Sequence, residues 1–137
     1  MPADLPPFPA IELLLMDLLD DLGTVDTATP DDLEQQLPFI QVNRIGGTDN
    51  VVTDTTRVVV SAYASDWPTG NTLAETIRQR LISGPHVLSG GVLDQVRTVV
   101  SPQELPHSIA GSRSATKGHA NVRRFGATYS AVTRRPS

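Results

Sequence analysis

The sequence predicts an α+β domain with elements in the order α-β-β-α-β-β. These would form a mostly antiparallel four-stranded sheet with two helices packed on it. Three observations predict this. Two segments, 11–22 and 72–83, repeat apolar residues at helical spacing. The stretch 37–64 reads as two strands, rich in β-branched residues, around a glycine pair. The stretches 92–100 and 121–133 supply a second pair of strands.

Taken in order, the chain opens with Pro2, Pro6, Pro7 and Pro9, which suit an extended arm over residues 1–9. Ile11, Leu14, Leu15, Leu18 and Leu22 then form one stripe, with Glu12, Asp17, Asp20 and Asp21 outside it. Gly23 is a natural stop. Asp20 and Asp21 oppose the dipole at that end of the helix, and no basic neighbour is local. Thr29-Pro30-Asp31-Asp32 reads as the start of a turn of helix that Pro38 ends.

Phe39, Ile40, Val42 and Ile45 make the first strand, Gly46-Gly47 the expected turn, and Val51-Val52 with 57–64 the return. Residues 55–64 alternate only loosely, which predicts burial on both faces over part of that length. Ser65 to Asn71 is expected as a loop, after which Thr72 and Glu75 form a capping box for a helix to Ser83. Val92 to Val100 is the third strand. Residues 101–120 are expected as a long loop, and Asn121 to Thr133 as the last strand, with Phe125, Ala127, Tyr129 and Ala131 on one face.

The chain has 137 residues, which suits a single domain spanning 1–137 and one real core. There is no cysteine, so disulfides and thiolate chemistry are excluded. No apolar run approaches the ~18 residues of a membrane span, so no membrane partner is expected and the protein should be soluble where it is made. The net charge is −4, but its distribution says more. Residues 1–38 carry nine acids and no Lys or Arg. After Glu104 there are six bases and no acid. Such a chain can pair its ends internally, or between copies head to tail, which generates a ring or a filament.

Catalytic constellations are thin. His107 and His119 have no acid after Glu104 to orient their rings. The serines near 108–114 lack a nucleophile elbow, and the glycine pairs lack phosphate-loop spacing. Adjacent acids such as Asp20-Asp21 cannot converge as an acid/base pair. No enzyme activity, metal or cofactor is expected. Arg123-Arg124 and Arg134-Arg135 bracket the last strand and suit phosphates or a partner's acids, with little aromatic interleaving for base stacking. Trp67 reads equally as a cap on the core and as an interface anchor.

The order of the pieces resembles the tail terminator (tail completion) proteins of long-tailed bacteriophages. The pieces are the acidic helix 11–22, Pro30, LPFIQVNRIGG, RVVVSAYA, LAETIRQRL, GGVLDQVRTVVSPQELP and RRFGATYSAVTRR. The resemblance implies a structural virion protein at the head-tail joint. It would be a homo-hexameric ring that caps the tail tube protein, ends tube growth and meets head-tail connector proteins, with DNA in the lumen. Carried to these residues, it implies a subunit interface between Asp17, Asp20 and Asp21 and the next copy's Arg123, Arg124 and Arg134. It also implies a docking loop with Gln103, Glu104, His107, Arg113 and Lys117, and a DNA-facing lumen with Arg113, Lys117 and Arg135. A head-tail connector or head-completion ring, or a small ligand-binding domain, stays open as an alternative.

Overall fold

A computed structural model of the chain describes residues 7–50, 52–106 and 122–134. Among these, α1 spans Ile11–Leu19 and α2 Trp67–Ile82. The strands are β1 (Thr24–Asp26), β2 (Phe39–Asp49), β3 (Thr53–Ala64), β4 (His86–Leu88), β5 (Gly91–Leu105) and β6 (Arg123–Arg134). A short 3-10 helix covers Leu33–Gln35.

The α+β class holds, but the expected four-stranded, mostly antiparallel sheet does not. The strands form one six-stranded, curled, mixed sheet in the order β1-β2-β3-β6-β5-β4. β1 runs parallel to β2, and the other neighbours are antiparallel. The two additional strands are the edges, each three residues long. A segment that short shows neither alternation nor a β-branched run, so pattern alone cannot find it.

Both helices cover one face. Ile11, Leu15 and Leu19 of α1 and Ala74, Ile77 and Leu81 of α2 pack on Val42, Val58, Val60, Phe125, Ala127 and Tyr129. In β6 the odd positions from Phe125 to Ala131 are buried, as the alternation predicts. Among the described residues, the opposite face carries no α-helix. At one end the 3-10 helix covers it, burying Leu33 with Phe39, Tyr63 and Val122. That second small core explains the burial of β3 on both faces from Val60 to Ala64.

α1 ends three residues before the predicted Leu22. Acids follow Leu19 and no base stands in its last turn, so no side chain of the helix itself compensates its dipole. The chain tightens instead, with Leu22 N–H donating to the Leu19 carbonyl at 2.9 Å.

Gly46 and Gly47 are not the hairpin turn. They lie inside β2 at a register shift between Arg44 and Gly46, with φ of 152° and 138°. A Cβ on Gly47 would fall 2.1 Å from the Thr55 carbonyl oxygen. The turn lies at Asn50, whose Oδ1 accepts from the N–H groups of Val52 (2.8 Å) and Thr53 (2.7 Å).

The expected loop 65–71 is the start of α2. Asp66 is its N-cap, with Oδ1 accepting from Thr69 N–H at 2.9 Å, and Pro68 occupies the first turn, where it costs no hydrogen bond. β5 runs on to Leu105, five residues into the expected loop from 101. The remainder of that loop, residues 107–120, and the arm 1–6 lie outside the described residues.

Gly70 of α2 sits against Phe125, and a Cβ there would lie 2.1 Å from the ring's Cε1. The ring is fully buried and Trp67 packs edge-on against it, so it has nowhere to go. Gly70→Ala is therefore expected to destabilise the fold by about 1–3 kcal/mol through overpacking, despite alanine's better helix propensity. Urea denaturation of the two proteins measures this, and an unchanged midpoint would contradict it.

Candidate assembly interface

The charged residues singled out by sequence fall into two groups. One group already has partners within the chain. Arg80 of α2 donates to Asp21 and, at 3.1 Å, to the carbonyl of Leu18. The hydrogen bond from Arg80 holds the Asp21 carboxyl below its usual value, and Asp21 in turn raises Arg80. That contact supplies the basic neighbour that the end of α1 lacks locally. Arg123 grips Glu104 of β5 through two bonds, Nε to Oε2 at 2.7 Å and Nη2 to Oε1 at 2.9 Å. Arg134 pairs with Asp94 at 2.7 Å. Asp21, Arg123 and Arg134, three of the six predicted interface residues, are thus ion-paired inside the subunit. Glu104, predicted for docking, is the carboxylate that holds Arg123.

The second group is free of ion pairs. Asp20 is exposed in the turn after α1, and Asp17 makes only a long 3.5 Å contact with the Ser89 hydroxyl. Arg124 donates to the Ser61 hydroxyl at 3.2 Å on the helix-free face. Gln103 is exposed on β5. His107, Arg113, Lys117 and Arg135 lie outside the described residues.

Two arginines that sequence reasoning passed over belong with this group. Arg57 of β3 and Arg97 of β5 both take Ser130 of β6 as cross-strand neighbour, so they share the helix-free face. They line a shallow basin of about 470 Å³ together with Ile45, Gly46, Thr48 and Ser130. The signal was present in the alternation of residues 57–64, where Arg57 stands out of phase with buried Val58 and Val60. Segment charge hid it, because the middle of the chain is nearly neutral.

A further groove of about 480 Å³ lies between the end of α1 and α2, lined by Leu22, Pro38, Pro68, Thr69 and Leu73 among others. No titratable group lines it, so it offers no acid or base for chemistry. Among the described residues, no group of three His, Asp or Glu side chains is placed to hold a metal. No described helix is long and apolar enough to cross a membrane.

Comparisons with known proteins bear on what these surfaces are for. The profile of a family described as "Phage tail termination protein" matches residues 7–116. A chain from a solved structure titled "Virion of native gene transfer agent (GTA) particle" is similar in fold, with a TM-score of 0.52 at 16% identity. The match covers 88% of this chain and 84% of that one. No curated protein matches in sequence. The chain belongs to the phage tail termination protein family, and is a structural component of a phage-type virion rather than a member of an enzyme family.

The Asp21–Arg80 contact carries a pH signature. The Asp21 pKa is depressed on folding, so its contribution is present above the ordinary carboxylate range and is lost as pH falls through the folded value. Because the pair is exposed, the effect is small and salt-sensitive. Asp21→Asn is expected to lower the urea midpoint at neutral pH. The gap to the parent should close once the solution is more acidic than the folded Asp21 pKa. A gap that persisted in acid would show that the carboxylate charge is not its source.

Proposed function

We propose that the chain assembles as a homo-hexameric ring that caps the phage tail tube, ends tube polymerisation and presents its other face to head-tail connector proteins. DNA passes through the lumen without sequence recognition. The observation that carries this reading is the family match across 7–116, which takes in α1, the hairpin, α2 and β5.

The charge distribution supports a ring. A surface that is acidic at one place and basic at another is suited to a head-to-tail contact, and such contacts close into rings when the rotation closes. Gln103 and Glu104 lie at the far end of β5, where the strand leads out toward residues 107–118. In this reading that end of the subunit docks on the tube or on the connector. Arg113, Lys117 and Arg135 are assigned to the lumen, where loose contacts to phosphate would let DNA slide. The function asks for no catalysis, cofactor or metal.

The test is the solution mass of the full chain, alone and mixed with its tail tube protein. A six-fold mass in either condition, with tubes that stop elongating, is the expected result. A monomer indifferent to tube protein would overturn the reading. Co-purification with the portal ring instead of the tube would move the protein to the other side of the joint and overturn the capping role. Removal of residues 103–118 is expected to abolish infectious particles in a complementation assay, and particles at normal titre would rule out docking by that segment.

A further inference from the structure

We infer that Arg57 and Arg97 form the docking surface for the acidic segment 26–34 of a second copy of this chain. The inference rests on the ring reading and names its contact.

Arg57 and Arg97 flank Ser130 in one row across β3, β6 and β5, two strand spacings or roughly 10 Å apart. Both are exposed, and neither has a carboxylate partner among the described residues. Arg44, Arg78, Arg80, Arg123 and Arg134 all do. The basin takes in Ser130 between the two arginines and extends past Arg57 onto β2, where its floor is partly backbone. Gly46 pairs with Arg57 in register, and a Cβ on Gly46 would meet nothing within 4 Å. Two guanidinium groups over an open, polar floor are suited to forked contacts with carboxylates.

The acids come from the same chain. Asp26, Asp31 and Asp32 are exposed and have no cation partner among the described residues. Asp26 and Asp32 make only local bonds, to Thr27 N–H and to the Gln36 amide. Asp31 and Asp32, beside the 3-10 helix, stand far from the basin of their own subunit. The adjoining 3-10 helix sits over Phe39 and Tyr63, and Arg57 lies six residues along β3 from Tyr63, or about 20 Å. Each subunit therefore carries a free basic site at Arg57 and Arg97 and, far from it, free acids at Asp31 and Asp32, an arrangement suited to a heterologous contact.

DNA is the other polyanion that these arginines could meet. Every copy in an assembly brings its own acids at fixed stoichiometry, and tight phosphate contacts would hinder a duplex that must slide. The second copy is the better match.

The experiment compares the full chain with R57E/R97E by sedimentation, alone and with tube protein. R57E/R97E is expected to need on the order of a hundredfold higher concentration to assemble. Adding D31R/D32R to the same chain should restore assembly, since the charges are then exchanged. R57Q/R97Q, which introduces no repulsion, should fall between, and thermal melts of each variant check the fold. If the parent assembles and R57E/R97E assembles equally well, this contact is overturned and the ring reading stands. If the parent never assembles, both fall. A variant that assembles normally but no longer retards duplex DNA would give these arginines to DNA and overturn the inference.

Discussion

The ring of Phe125 lies against α2 where that helix has no side chain, at Gly70. Nearly everything else in the fold follows from this contact. β6 is a central strand with β3 on one side and β5 on the other, and its buried residues Phe125, Ala127 and Tyr129 form the ridge on which α2 rests. The helix can come close because Gly70 yields the space, and it is aimed there by its own start, where Asp66 caps and Pro68 fixes the first turn. With α2 seated, Arg80 on its far turn reaches the end of α1 and closes the second helix onto the sheet. Packing sets the frame and one exposed ion pair then trims it, which is the usual order of magnitudes.

Charge in this protein does two jobs that net values conceal. Arg80, Arg123 and Arg134 neutralise acids of their own subunit and hold its elements in place. Among the described residues, charge left free of ion pairs includes Asp17, Asp20, Asp26, Asp31 and Asp32 on the acidic side and Arg57, Arg97 and Arg124 on the basic side. Because the internal pairs are already made, the remainder is available to other molecules without cost to the fold. The same sheet that supplies the core on one side thus displays an unneutralised surface on the other.

Much of this was legible in the sequence, for physical reasons that also explain the failures. The stripes Ile11–Leu19 and Ala74–Leu81 and the alternation of β6 were readable because burial imposes a period on enough residues to see it. β1 and β4 were not, because three residues cannot display a period. Gly46-Gly47 and the segment Asp66–Gly70 were misread because glycine and proline each have more than one use. Glycine serves a bulge or a close approach as well as a turn, and proline opens helices as readily as it breaks them. For the site, the free acids were visible as a run without bases. The identity of their basic counterpart was not, since a pair such as Asp21 and Arg80 is 59 residues apart in sequence and only the fold reveals which arginines are taken.

The two edge strands have a consequence for growth. A long, flat edge would offer its open hydrogen-bonding row to any passing strand and invite endless lateral addition. Here β1 covers only Phe39–Gln41 of β2 and β4 only Gly91–Leu93 of β5, so among the described residues the rest of both strands borders the sheet, but register shifts at Arg44/Gly46 in β2 and at three points in β5 keep that border from running flat. Backbone pairing between copies, which has no built-in limit, is thus opposed by an irregular border and not by a closed one, whereas contact through side-chain surfaces has a geometry that limits the number of copies.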